Sequence, residues 1–301
     1  TLGLIQMMSW NLSWITSELA KNREYLKDLT AFMDLTEQEG SLDLPEEADI
    51  VNFETIEFDN VSFKYPDTDR YILKDFNLKL DKNIHYAFVG INGAGKTTIT
   101  KLLTGLYDNF EGEIRINGKS IRDYKKSQLK ALFSVVYQDF AKYYISLKDN
   151  ILLGDVNVKD EARLQETISL LNLEEAIHKL PQGVDTYLGK IKEDGTDLSG
   201  GEWQKVAIAR ALYSPAEIRI LDEPTAALDP VAESNIYKMF GQISQGKSTI
   251  FITHRLGAAK LADEIIVIDD GAVVEQGNHE ALMKNNGIYA EMFHSQRSWY
   301  Q

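Results

Sequence analysis

The sequence predicts an α/β fold: a mainly parallel sheet flanked by helices, with an antiparallel β unit on its N-terminal side and an α-helical subdomain inserted midway. Three observations carry this. Short apolar runs alternate with helical patterns around residues 85–103 and again after residue 200, which is how parallel strands and their crossover helices read. Ahead of them, residues 53–80 alternate or nearly alternate between apolar and polar, as half-buried antiparallel strands do. Between Asp139 and Gly195 the strand pattern gives way to helical spacing.

Residues 1–33 read as one helix. Leu4, Met7, Met8, Trp10 and Trp14 stand at its front and the charged run Lys21-Asn22-Arg23-Glu24 behind them. The pattern fits the last turns of a membrane helix entering the cytosol, with an interfacial Trp pair, and equally an amphipathic helix packed on its own domain. Ser9, Asn11, Ser13 and Thr16 rule out a full span, no basic start or small-residue cleavage site marks a leader, and the apolar beginning is what a piece of a longer polypeptide would show. Residues 34–52 read as an acidic linker, since no Lys or Arg occurs between Ala31 and Asn60 while Asp34, Glu37, Glu39, Asp43, Glu46, Glu47 and Asp49 follow one another. Strands are expected at 55–58, 61–65 and 76–80, then at 85–89.

Further on, 112–116 is expected to be a strand closed by the Asn117-Gly118 turn, and 134–137 another. Helical pieces are expected at 150–153, 162–171 and 174–180. The α/β alternation then resumes with helix 202–213, strand 218–221, helix 231–243 and strand 249–253. A strand at 265–268 forms a hairpin with 272–276 through Asp270-Gly271, and helices close the chain.

Composition narrows the function. The net charge of −14 argues against a nucleic-acid surface, because phosphate contacts need clustered Lys and Arg. There is no cysteine, so neither a disulfide framework nor a thiolate metal site is possible.

The chemistry is concentrated in residues 90–98, Gly90-Ile91-Asn92-Gly93-Ala94-Gly95-Lys96-Thr97-Thr98. Gly90, four residues, then Gly95-Lys96-Thr97 fits the phosphate-loop pattern, lying between an apolar strand and a helix that stops at Gly105. The glycines let backbone N–H groups turn inward, and the helix adds its partial positive charge. Lys96 is expected on the β- and γ-phosphates and the Thr97 hydroxyl on Mg2+. Downstream, Ile218-Arg219-Ile220-Leu221-Asp222-Glu223 is a strand ending in two acids. Asp222 is placed to hold the same metal and Glu223 to deprotonate an attacking water.

Between these lies Leu198-Ser199-Gly200-Gly201-Glu202-Trp203-Gln204, which resembles the LSGGQ signature of the ATP-binding cassette family. Gln138 matches that family's Q-loop glutamine, Ala226-Ala227-Leu228-Asp229 resembles its D-loop, His254 matches its switch histidine, and Tyr65 sits where the adenine-stacking aromatic belongs. The resemblance covers about 53–296 and implies a P-loop NTPase core over 53–297 with a helical subdomain near 139–200. It implies ATP and Mg2+ as cofactors. Tyr65, the loop 90–98, Ser199, Gly200, Gly201 and Asp229 would contact nucleotide. Thr97, Gln138 and Asp222 would hold the metal, while Glu223, His254, Lys96 and Gln138 would take part in hydrolysis.

It also implies partners: a second cassette bound head to tail, and a transmembrane domain at the cytoplasmic face of a membrane. Exporters that carry both parts in one polypeptide are the nearest fit, making 1–33 the cytosolic end of a membrane helix. An importer subunit and a non-transport cassette ATPase are the alternatives. Peptide, lipid and drug cargo stay open, since specificity in this family lies mainly in the membrane helices. Each matched residue also has a plain structural reading: Tyr65 as a core aromatic, Gln138 as a strand cap, Asp229 as a helix start before Pro230, His254 as a packing histidine.

Three departures stand out. Glu202 replaces the usual glutamine, and Trp203 stands where a basic residue is common. Because Ser199 and Glu202 form a Ser-x-x-Glu pattern, Glu202 is expected to turn back onto the Ser199 N–H instead of facing a phosphate. The loop 188–195 before the signature and the aromatic segment 139–144 also differ from the usual pattern, and 139–144 is expected to meet the membrane partner.

Overall fold

The computed structural model describes residues 2–35, 43–46, 49–191, 195–225, 234, 241 and 246–298. The chain divides into two compact units, Thr1–Asp43 and Leu44–Gln301.

Among its described residues the first unit holds one helix, α1 (Leu2–Met33), none of whose residues is buried. Trp10 and Trp14 are exposed, as are Leu4, Met7 and Met8. Thr16 and Thr30 return their hydroxyls to the carbonyls of Leu12 and Leu26, and Lys27 pairs with Glu24 at 2.8 Å. Among the described residues, no helix is long and apolar enough to cross a membrane.

Among the described residues the second unit contains two sheets. The smaller is antiparallel, ordered β2-β1-β4-β5, from β1 (Thr55–Phe63), β2 (Leu73–Asp81), β4 (Glu111–Ile116) and β5 (Lys119–Ser120). Where two strands were expected at 55–58 and 61–65, one runs through. Asn60 takes a left-handed φ of 49° and the register slips between Phe58 and Val61, so the apolar side chains on either side stay in the core across a bulge. The strand ends at Phe63, leaving Tyr65 beyond it. The Asn117-Gly118 turn has φ of 53° and 77°, as a two-residue hairpin of this hand requires.

The larger sheet has the order β10-β9-β3-β8-β7-β6, with β3 (His85–Val89), β6 (Phe133–Val136), β7 (Ile218–Asp222), β8 (Ser248–Ile252), β9 (Glu264–Asp269) and β10 (Ala272–Gly277). All neighbours are parallel except the β9–β10 hairpin. Period two explains why β3 reads as a continuous apolar run. Tyr86 and Phe88 face a core shared with the antiparallel sheet, while Ala87 and Val89 face a second core with Leu256, Leu282 and Tyr289.

The helical insertion comprises α4 (Leu147–Leu152), α5 (Glu161–Leu170) and α6 (Glu174–His178), after α2 (Lys96–Leu103) and α3 (Lys126–Leu132). Ser146 caps α4 and Asp160 caps α5 through side-chain bonds to the first-turn N–H groups. These helices pack with α7 (Gly200–Tyr213) over a core that includes Leu147, Ile151, Leu164, Ile168 and Trp203. Two helices follow β10: α9 (His279–Asn285) and α10 (Ile288–Ser298), with the short α8 (Leu256–Ala259) after β8. The expected helix 231–243 lies largely outside the described residues.

Candidate nucleotide site

Parallel neighbours place their carboxyl ends on one side, and the loops leaving them share one edge. Here that edge collects the loop 90–95 after β3, Glu223 after β7, His254 after β8 and Gln138 in the turn after β6. Residues 125 positions apart in sequence thereby meet.

The loop itself is shaped by glycine. Gly90 sits at φ +151°, and a Cβ there would lie 2.1 Å from the Ile268 carbonyl oxygen. Gly95, at φ +105°, precedes the first residue of α2, and a Cβ on it would meet Leu73 at 2.8 Å. At the far end of α2, the Leu106 and Gly105 N–H groups close back on the Lys101 and Leu102 carbonyls, with Gly105 left-handed at φ 66°.

Lys96 is 6% exposed. Its Nζ donates to the carbonyls of Gly90 at 2.8 Å and Ile91 at 2.9 Å. Burial lowers its pKa, against the opposing pull of Glu223 and Asp222. Thr97 Oγ1 donates to Asp222 Oδ2 at 2.7 Å. Asp222 is itself 2% exposed, and burial raises its carboxyl pKa while the Thr97 bond works the other way.

Glu223 adopts a left-handed φ of 48°, a strained position for a residue with a Cβ. Its N–H is held by the Ile252 carbonyl at 2.9 Å, and its Oε1 lies 3.1 Å from His254 Nδ1. The Tyr65 hydroxyl bonds Thr98 Oγ1 at 3.0 Å. Its ring packs edge-on against Phe63 and Tyr107, with Lys101 Nζ 5.2 Å from the ring centre. Tyr65 is therefore both a core-packing aromatic and a neighbour of the loop. Gln138 is exposed.

These residues suit a magnesium-bound polyphosphate. Thr97 and Asp222 offer hard oxygen donors already side by side, as Mg2+ prefers. A buried ammonium on carbonyls, beside loop N–H groups and a helix start, calls for an anion of several charges.

The signature turn is assembled differently. Ser199 caps α7: its Oγ accepts the Glu202 N–H at 3.3 Å, and Glu202 Oε2 accepts the Ser199 N–H at 2.9 Å and the Ser199 Oγ–H at 2.8 Å. The expected inward turn of Glu202 is thus observed. Burial works against its charge, but the Ser199 bonds and Lys179, 3.7 Å away, hold the carboxyl below its ordinary pKa. Trp203 replaces a basic residue because it is core: it is 1% exposed, and its Nε1–H reaches Asp197 Oδ1 at 2.9 Å. That bond lowers the Asp197 pKa. Ser199, Gly200 and Gly201 stand at the start of α7, which begins at Gly200 where the helix was expected from 202. Asp229 lies outside the described residues.

Two contributors escaped the sequence reading. Gln204 is 1% exposed and its Nε2 reaches the Glu223 carbonyl at 3.5 Å, tying α7 to the end of β7. Gln296, on α10, donates to the His254 carbonyl and accepts the Leu256 N–H at 2.9 Å, pinning the loop that carries His254. Gln204 falls in the signature stretch, yet the partner it reaches follows from no local motif, and nor does that of Gln296.

Residues 73–226 match the family model described as ABC transporter. This chain belongs to the ABC transporter family. Among similar proteins is the subtilin transport ATP-binding protein SpaT of Bacillus subtilis, 38% identical over 98% of this chain and 48% of that protein. The ATP-dependent lipid A-core flippase of Alkalilimnicola ehrlichii is 41% identical over 79% of this chain and 40% of its own length. The nisin transport ATP-binding protein NisT of Lactococcus lactis is 36% identical over 81% of this chain and 41% of its own length. A solved bacterial Atm1-family ABC exporter with ATP bound matches at a TM-score of 0.77 and 35% identity, over 91% of this chain and 47% of that one. The chain spans about half the length of the relatives it matches. As a cassette of this family it carries the expected α/β core, antiparallel unit and helical subdomain.

Proposed function

We propose that this cassette is the ATP-hydrolysing domain of an exporter, working at the cytoplasmic face of a membrane, with 1–33 as the end of a membrane-domain helix and 34–52 as a linker. Two copies close head to tail around two ATP molecules, each copy's loop 90–98 facing the other's Ser199–Gly201 turn, and hydrolysis reopens them. The observation that carries the reading is the convergence of Lys96, Thr97, Asp222, Glu223 and His254 on one sheet edge.

Lys96 Nζ leaves the Gly90 and Ile91 carbonyls for the β- and γ-phosphate oxygens, and the loop N–H groups take the rest. Tyr65 stacks on the base and Asp229 meets the nucleotide from the opposite copy. Bound Mg2+ would neutralise the phosphate oxygens. Thr97 Oγ1 and Asp222 are the groups to hold it, with Gln138 from the turn after β6. Glu223 takes a proton from the attacking water. His254 holds Glu223 through Nδ1, 3.1 Å from Oε1, and its Nε2 edge is the one left to meet the γ-phosphate under attack, so one ring positions the base beside the transferred group.

A cavity of about 900 Å³ beside Gln138 supports a membrane partner. Tyr137, Phe140, Ala141 and Tyr143 line it from the segment after β6, with Leu153 from the helical subdomain and Arg210 from α7. An apolar segment of the transmembrane domain is the proposed occupant. The ABC exporter among the matching structures favours this over an importer subunit.

The test is Glu223→Gln. It should bind ATP with wild-type affinity yet lose turnover by at least ~100-fold, the ordinary worth of a general base. Full ATPase activity in that variant would remove Glu223 from its assigned role.

A further inference from the structure

The Ser199 hydroxyl has one proton to give, and here it is given to the Glu202 carboxylate at 2.8 Å, while its lone pair takes the Glu202 N–H at 3.3 Å. The same Oε2 also accepts the Ser199 N–H at 2.9 Å. Two donors of the turn therefore end on one carboxylate oxygen. The other oxygen lies 3.7 Å from Lys179, whose ammonium helps keep the group ionised. An anion arriving at the start of α7 finds the Gly200 and Gly201 N–H groups, but it must compete with a carboxylate for the Ser199 proton. A charged acceptor holds a hydroxyl about twice as strongly as a neutral one does.

We infer that Glu202 is a built-in brake on cassette closure: by retaining the Ser199 hydroxyl proton it withholds one phosphate contact from the partner's ATP until the pair is pulled apart. This deepens the proposed head-to-tail reading and rests on it. The Glu202–Ser199 pair is local to α7, so it acts on closure and leaves each chain's own loop 90–98 untouched. Glutamine at this position would keep the cap, since its amide oxygen still accepts the Ser199 N–H, while holding the hydroxyl with a neutral acceptor that a phosphate outcompetes. Glu202 is a positioning residue in this account, acting through Ser199.

The experiment uses the purified full chain carrying Glu223→Gln to stop turnover, titrated with MgATP and followed by sedimentation velocity. Adding Glu202→Gln should lower the ATP concentration for half-maximal dimerisation about tenfold, equivalent to roughly 1.4 kcal/mol. ATP affinity of the dilute monomer should not change. In a Ser199→Ala background, most of the Glu202→Gln gain should vanish, because the hydroxyl through which it acts is gone. A Glu202→Gln chain that dimerises no more readily than its parent overturns the brake alone. A gain that survives Ser199→Ala in full overturns the hydroxyl route. If neither chain dimerises at saturating MgATP while both bind it, the head-to-tail reading falls and the brake with it.

Discussion

The phosphate loop and the signature turn are the two halves of the proposed site, and they are held by opposite means. The loop with Asp222, Glu223 and His254 hangs on the carboxyl ends of three adjacent buried strands, and the Thr97–Asp222 bond joins residues 125 positions apart. The signature turn is an exposed helix cap whose Ser199–Glu202 and Ser199–Trp203 bonds fall within four residues. The first half is fixed by the core and its geometry is costly to alter. The second is fixed by one side chain and can be retuned by a single substitution, which is why the departure from the family pattern at Glu202 is tolerated there.

Substitutions should separate the halves. Lys96→Ala removes the buried ammonium and should abolish measurable ATP binding by calorimetry with little change in fold; normal affinity would break the loop assignment. Gly90→Ala drives a Cβ to within 2.1 Å of the Ile268 carbonyl at a strained φ. It should cost about 3 kcal/mol by urea unfolding, near the upper end of overpacking penalties, and weaken ATP binding as well. Unchanged stability would show that the loop is less firmly held by β9 than the contact implies. Gln296→Ala frees the His254 loop and should lower kcat a few-fold with KM for ATP unaltered, a split measured by steady-state kinetics.

The smallest effect concerns the signature turn. Glu202 has a folded pKa below its ordinary 4.5, so its contribution to stability is present above that value and lost as pH falls through the folded value. Wild type should therefore melt slightly higher than Glu202→Gln at neutral pH, by about 2 °C at most for a cap-sized effect, and the gap should close below pH 4.5. A gap that persists in acid would mean that the charge is not what the cap uses.

The same contrast explains how much could be read in the sequence. Residues 90–98 and 218–223 are legible because their chemistry demands fixed residue types at short spacing, and so is the Ser199–Glu202 cap. The strands of the larger sheet are legible because burial on both faces leaves only apolar choices, as in β3. The single course of β1 is not, because the bulge at Asn60 breaks the alternation that would join its halves. The contacts of Gln204 and Gln296 are invisible for another reason: they are polar residues on helices whose partners, Glu223 and His254, follow strands distant in sequence, and only the packed sheet brings them within reach.

Closure of two chains around nucleotide is measured most directly by sedimentation of the Glu223→Gln chain with labelled MgATP. The account predicts an ATP-dependent species of twice the mass carrying two ATP molecules, absent with Lys96→Ala. A chain that binds one ATP and remains a monomer at every protein concentration reached would contradict it.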